Sequence, residues 1–338
     1  MNHIANAAGR VLRAAALAGL TAGCHHPTLV LEPPGPALVV HEPALYPETI
    51  EYDPARDRFL LSSFRAGAIY AVNRDGAAAL VVNDPRLCSV LGIAVDARRN
   101  RVWAVNSDLG ASAKPSSAGP KRLAAVAAYD LVTGQPIHYV DIAPLYPGPH
   151  LLNGIALDAA GNAYVSDSFS PVLYRVDAQG HPSVFLHSEQ FSGKGINLNG
   201  LVVHPDGYLL AVKKSDGSLF KVPLANPAGF SKVRTEHALI GGDGLTLSGP
   251  NSLLIIANQT PTKKSNSALS LLSADGWVSA KLVAEQPLGD VYPTTAVRRR
   301  DEIYVVSSRL NQLLQSTPEE QRQLQVEARI QRIGKVSE

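Results

Sequence analysis

The sequence predicts an all-β protein built as a six-bladed β-propeller, and three observations carry that reading. First, one short β-forming string recurs six times: ETIEYD from Glu48, LGIAVD from Leu91, NGIALD from Asn153, NGLVVH from Asn199, DGLTLS from Asp243 and TTAVRR from Thr294. Second, the copies are spaced by the ~40–50 residues of a propeller blade, except for one longer interval between the second and third. Third, each opener leads through a turn into a second strand, as in RFLLSS, RVWAVNS, NAYVSDS, YLLAVKK, SLLIIAN and EIYVVSS, with β-branched and aromatic residues where strands favour them. A lone meander leaves one face uncovered, so the units must pack on one another.

The chain is then accounted for in order. Residues 1–24 read as an export signal: Arg10 and Arg13 precede the short apolar run AAALAGL, which ends in Thr21-Ala22-Gly23-Cys24. That ending resembles the bacterial lipobox, in which the cysteine carries lipid, although Thr21 stands where leucine is usual. A plain secretory signal or a buried helix are the alternatives. Cys24 is thus the expected lipidation site, and residues 25–37, with His25-His26 and PPGP, read as a tether. The propeller is expected over 38–338, lipid-anchored in the cell envelope and touching a membrane only through that anchor.

The third strands are legible in AIYAVNRDG, VAAYDLVTG, VLYRVDAQG, SLFKVPL and LSLLSADG. The long interval holds DLGASAKPSSAGPKR from Asp108 to Arg122, a loop that resembles a flexible lid. The sixth blade lacks a third strand until VEARIQRI at Val326–Ile333. Its fourth strand is expected from LVVHEP, ahead of the first blade, so that both ends of the chain close one blade. With Cys24 lipidated, Cys88 has no disulfide partner, and in LCSVLGIAV it reads as a buried thiol. Of the residues, 45% are hydrophobic and 18% charged, and the net charge is +2, which gives no electrostatic basis for nucleic-acid binding.

Superposing the six openers brings Glu48, Leu91, Asn153, Asn199, Asp243 and Thr294 to one position. Innermost strands line a propeller's channel, so these side chains can converge on the axis. Two carboxylates and two carboxamides make an all-oxygen set suited to a hard divalent cation. Turn chemistry is the alternative, since Asn and Asp before Gly often shape turns. It accounts for Asn153, Asn199 and Asp243 one at a time but not for Glu48, which precedes Thr. Pairing across the hairpin places Asp167 opposite Asn153, with Ser63, Asn106, Lys213, Asn258 and Ser308 as its equivalents, give or take one residue. Lys213 is the cation of that ring, placed to orient an anionic substrate.

The pattern, over roughly residues 45–335, resembles the gluconolactonase / regucalcin (senescence marker protein) family of six-bladed propellers. The resemblance implies one divalent ion held by Glu48, Asn153, Asn199 and Asp243, with calcium the first expectation and magnesium, manganese or zinc the others. It implies a small-molecule lactone or ester as substrate, hydrolysed by water, with Asp243 as general base and Asp167 as the second candidate. Two departures stand out. Leu151 replaces the arginine that such lactonases use to hold a sugar, and Glu48 is followed by Thr49-Ile50. No G-x-S-x-G elbow is present. A non-catalytic propeller that binds a ligand or protein partner is the competing expectation.

Overall fold

A computed structural model describes residues 28–324 and 327–337. Six small antiparallel sheets form a ring around a central channel. Each begins with its innermost strand: Ile50–Asp53, Ser89–Asp96, Leu152–Leu157, Leu198–His204, Gly242–Gly249 and Tyr292–Arg299. Neighbouring inner strands touch all the way round, so the ring is closed. The second strands are buried on both faces, as in Arg101–Ser107 and Ser252–Ala257. Being sandwiched between blades, they read as nearly continuous apolar runs rather than as alternating ones. Burial fades outward to strands such as Pro136–Asp141.

The core is divided among the blade interfaces. Leu60, Ile69 and Val82 of the first blade pack on Val90, Val102 and Tyr129 of the second, and Tyr208 and Leu210 of the fourth on Ile255 and Trp277 of the fifth. Each fully buried Leu, Ile, Val or Phe contributes roughly 1.5–3 kcal/mol. The cluster between the second and third blades also takes in Leu310 and Leu313, from a helix spanning Leu310–Gln315 on the connection within the last blade. A second helix, Pro318–Gln323, follows with a capping box at Thr317 and Glu320.

Closure follows the expected plan and extends it. The third strand of the last blade is Ala328–Ser337, and Leu38–Val40 pairs with it through Val40↔Ala328. The expected tether needs correction, because Thr28–Leu31 also joins this strand, with Leu29 opposite Val336. Leu29 is buried against the core shared by the last two blades, and that burial outweighs the Pro-rich composition around it. Residues 1–27, and with them Cys24, lie outside the described residues. The Asp108–Arg122 loop is pinned rather than free: Ala113 N donates to Arg65 O at 2.8 Å and Lys121 N to Asp108 O at 2.7 Å, while Lys114 Nζ donates to Gly67 O at 2.9 Å. Among the described residues no helix is long and apolar enough to cross a membrane.

Candidate functional site

Three of the four oxygen-bearing openers stand inside strands, where turn chemistry does not explain them, and Glu48 stands two residues ahead of its strand. Asn153, Asn199 and Asp243 are strand residues, and none of the glycines that follow them has a positive φ. Those glycines serve close packing instead. A methyl group at Gly154 would sit 2.5 Å from Asn199 O, one at Gly200 2.1 Å from Asp243 O, and one at Gly92 2.3 Å from Asn153 O. The carbonyls of Asn153, Asn199 and Asp243 therefore abut the glycine of the preceding blade. At the junction of the last and first blades the place is taken by Thr295, whose hydroxyl donates to Glu48 O at 2.8 Å. The inner-strand register shifts at this level in five of the blades, and such bulges re-aim side chains.

The result is a cluster at the end of the channel where the inner strands begin. Glu48, Asn153 and Asn199 line a cavity of about 390 Å³, which Asp243 adjoins through Gly244. All four are buried. Thr49 Oγ1 donates to Glu48 Oε2 at 2.7 Å, and Asn153 Nδ2 donates to Ser168 Oγ at 3.1 Å. Asn153 Oδ1 and Asp243 Oδ1 are buried acceptors without a hydrogen-bond partner. Burial, and then the charge of Asp243, push the Glu48 carboxyl up to about 8.

The bulges also move the second ring by one residue. Asp167 pairs with Leu152 rather than Asn153, and Lys213 pairs with Leu198. Both therefore turn away from the channel. Asp167 Oδ1 accepts from the backbone N–H of Leu151, Phe169 and Ser170 at 2.9, 3.0 and 3.2 Å, and its Oδ2 lies 2.8 Å from His150 Nδ1. It ties a loop to its blade and has no oxygen to spare for a water. Lys213 Nζ donates to the carbonyls of Gln190 and Ser192 and pairs with Asp216 at 3.0 Å. Neither is placed as a channel base or substrate anchor.

The residue that sequence reasoning missed is Lys214. Its Nζ donates to Asp243 Oδ2 at 2.8 Å and also to Asn258 Oδ1. Asn258 Nδ2 in turn donates to Asp243 Oδ2 and, at 3.0 Å, to Pro293 O. Burial works against the Lys214 charge, but Asp243, Tyr292 and Glu48 outweigh it and raise its affinity for the proton. The doublet Lys213-Lys214 at a strand end was the available signal; the bulge decides which of the two faces inward. Cys88 is buried, and burial pushes its thiol up to about 11, so it is no nucleophile.

No protein-family model matches the chain, and no curated protein matches it either. Solved structures do. The major allergen Mala s 1 of Malassezia sympodialis is 19% identical, with a TM-score of 0.69 over 88% of this chain and 95% of that one. A luciferin-regenerating enzyme is 14% identical, with a TM-score of 0.58 over 88% and 95%. A presumptive gluconolactonase is 16% identical, with a TM-score of 0.55 over 92% and 100%. At these identities the likeness is one of fold: this chain shares the six-bladed propeller with those proteins.

Proposed function

We propose that the chain is a hydrolase of lactones or esters that holds one divalent cation, calcium first, through Glu48, Asn153, Asn199 and Asp243. The observation that carries this reading is the surplus of acceptors. Asn153 Oδ1 and Asp243 Oδ1 are buried without a donor, and the Glu48 carboxyl lies against Asp243 with Lys214 the cation near both. Buried acceptors left unpaired are costly, and a hard cation is the ligand that such an oxygen set accepts. Glu48 and Asp243 supply charge, Asn153 and Asn199 supply neutral oxygens, and the closely packed inner strands hold the four in register. A bound divalent ion would polarise a substrate carbonyl towards attack by water.

The chain's own groups define the rest. Asp243 Oδ2 is occupied by Lys214 and Asn258, so Oδ1 is the oxygen left for an ion, and Oδ2 becomes available as a base only when Lys214 gives it up. Aliphatic side chains at Ile155, Leu157, Leu201 and Val203 line the channel together with the polar Glu51, Thr246 and Arg298. Leu151 is 1% exposed and belongs to the core, so it offers a substrate nothing. That argues against a sugar lactone and for a less polar lactone or ester. Lipid on Cys24 would place the enzyme in the cell envelope.

Calorimetric titration with calcium, magnesium, manganese and zinc tests the reading, run beside a lactone and aryl-ester panel with and without chelator. Glu48→Ala and Asp243→Ala are expected to lose the ion, and Asn153→Ala and Asn199→Ala to weaken it, because a carboxylate removes balancing charge as well as an oxygen. Wild-type affinity in Glu48→Ala would sink the metal site. Metal binding without turnover of any panel member would leave the competing ligand-binding propeller.

A further inference from the structure

The proposed cation site already contains a cation. Lys214 directly follows the strand Tyr208–Lys213, and its side chain is 8% exposed. Its ammonium reaches the same carboxylate, Asp243, that a divalent ion would need. Asn258 bridges the two, donating to Asp243 Oδ2 and accepting from Lys214. The arrangement is a closed triangle and not a passing surface contact.

Charge balance sets the consequence. Glu48 and Asp243 together offer two negative charges, and Lys214 neutralises one of them. A divalent ion alone would balance both, whereas an ion together with the ammonium would leave a buried site with excess positive charge. Like charges a few ångströms apart in a dry site repel strongly, so the two cations compete for Asp243. The ammonium has somewhere to go: its nitrogen lies 5.8 Å from the centre of the Tyr292 ring, whose π face receives a cation favourably.

We infer that Lys214 is a tethered counter-ion that competes with the divalent ion and lowers the site's affinity for it. In the metal-free protein it caps Asp243 and holds Asn258 in place; when the ion binds, Lys214 leaves Asp243. The inference rests on the divalent site proposed above. It offsets one of the two negative charges when the ion is absent, which lessens the metal-free propeller's need for an ion.

The test is calcium titration calorimetry on the full chain, comparing wild type with Lys214→Met and Lys214→Gln at one ionic strength. Both variants are expected to bind calcium at least about tenfold more tightly than wild type, since the competing charge is gone. Thermal melting supplies a second reading. Calcium should raise the midpoints of the variants more than that of wild type, and chelator should reverse each gain. Should Lys214→Met fail to fold without calcium, Lys214→Gln, which keeps a hydrogen-bond donor, carries the comparison. Equal calcium affinity in wild type and variants overturns the inference and leaves the divalent site standing. No calcium binding by any of the three chains removes the divalent site, and the inference with it.

Discussion

Two buried ion pairs lie at opposite ends of the inner strands, and they differ in completeness rather than depth. Asp96 and Arg101, where the second blade's inner strand ends, are each 6% exposed; Asp243 and Lys214, where the fifth begins, are 5% and 8% exposed. In the first pair every arm is used. Arg101 Nε donates to Asp96 Oδ2 at 2.9 Å, while its other nitrogens reach Ala178 O and Gly161 O in the third blade. Asp96 Oδ1 accepts from Arg99 N. In the second pair Asp243 Oδ1 has no partner, and Glu48 presses a further carboxyl against it. Burial alone does not mark a functional charge. An unfinished set of bonds does, because a purely structural pair must satisfy its groups to offset desolvation.

Breaking the finished pair should have the largest effect. Asp96→Ala strands the Arg101 guanidinium and is expected to cost about 3–5 kcal/mol of stability in denaturant melts, with divalent-ion affinity unchanged. A loss of ion affinity without a loss of stability would reverse the assignment of the two ends. Next comes the carboxylate that looked catalytic in the sequence. Asp167→Ala leaves three backbone N–H groups without their acceptor and should cost about 2–4 kcal/mol, again without changing calcium titration. A weakened calcium isotherm in a well-folded Asp167→Ala would return it to the site.

The smallest effect sharpens the contrast within the channel. Glu51 lines the bore, walled by strands on all sides yet partly open to the cavity, and burial pushes its carboxyl up to about 8. A carboxyl whose pKa is raised by folding favours the folded state below its unfolded pKa and loses that contribution as pH rises through its folded value. Wild type should therefore lose stability between about pH 5 and pH 9. Glu51→Gln should flatten that slope and be the more stable by about 1–2 kcal/mol at pH 9. Parallel pH profiles for the two chains would assign the slope to other groups.

Much of the architecture was readable because one requirement repeats. Every inner strand must be β-forming, and at four openers it must also place a glycine against its neighbour's backbone; that combination is what recurs as NG, DG and LG. The oxygen-rich position before it was readable for the same reason. The ring behind it was not, because simple antiparallel pairing ignores the bulge at that position, and one residue is enough to exchange Lys214 for Lys213 and Ser168 for Asp167. Asn258 was named correctly: it is one residue past Ala257, the partner of Gly242, and so faces the site. The strand Thr28–Leu31 was missed because it belongs to no repeat, and only the far end of the chain gives it a partner.

That last pairing bears on how the molecule reaches its shape. Five blades are hairpin-built from neighbouring sequence, and each can begin to form as soon as its own strands are available. The sixth cannot. Joining Leu29 to Val336 and Val40 to Ala328 closes almost the whole chain into a loop, a step whose entropic cost rises only slowly with loop length but whose rate suffers from the long search. Until that step the last blade presents Ala328–Ser337 as an unpaired edge, so the interval before closure is when self-association through strand addition competes with folding.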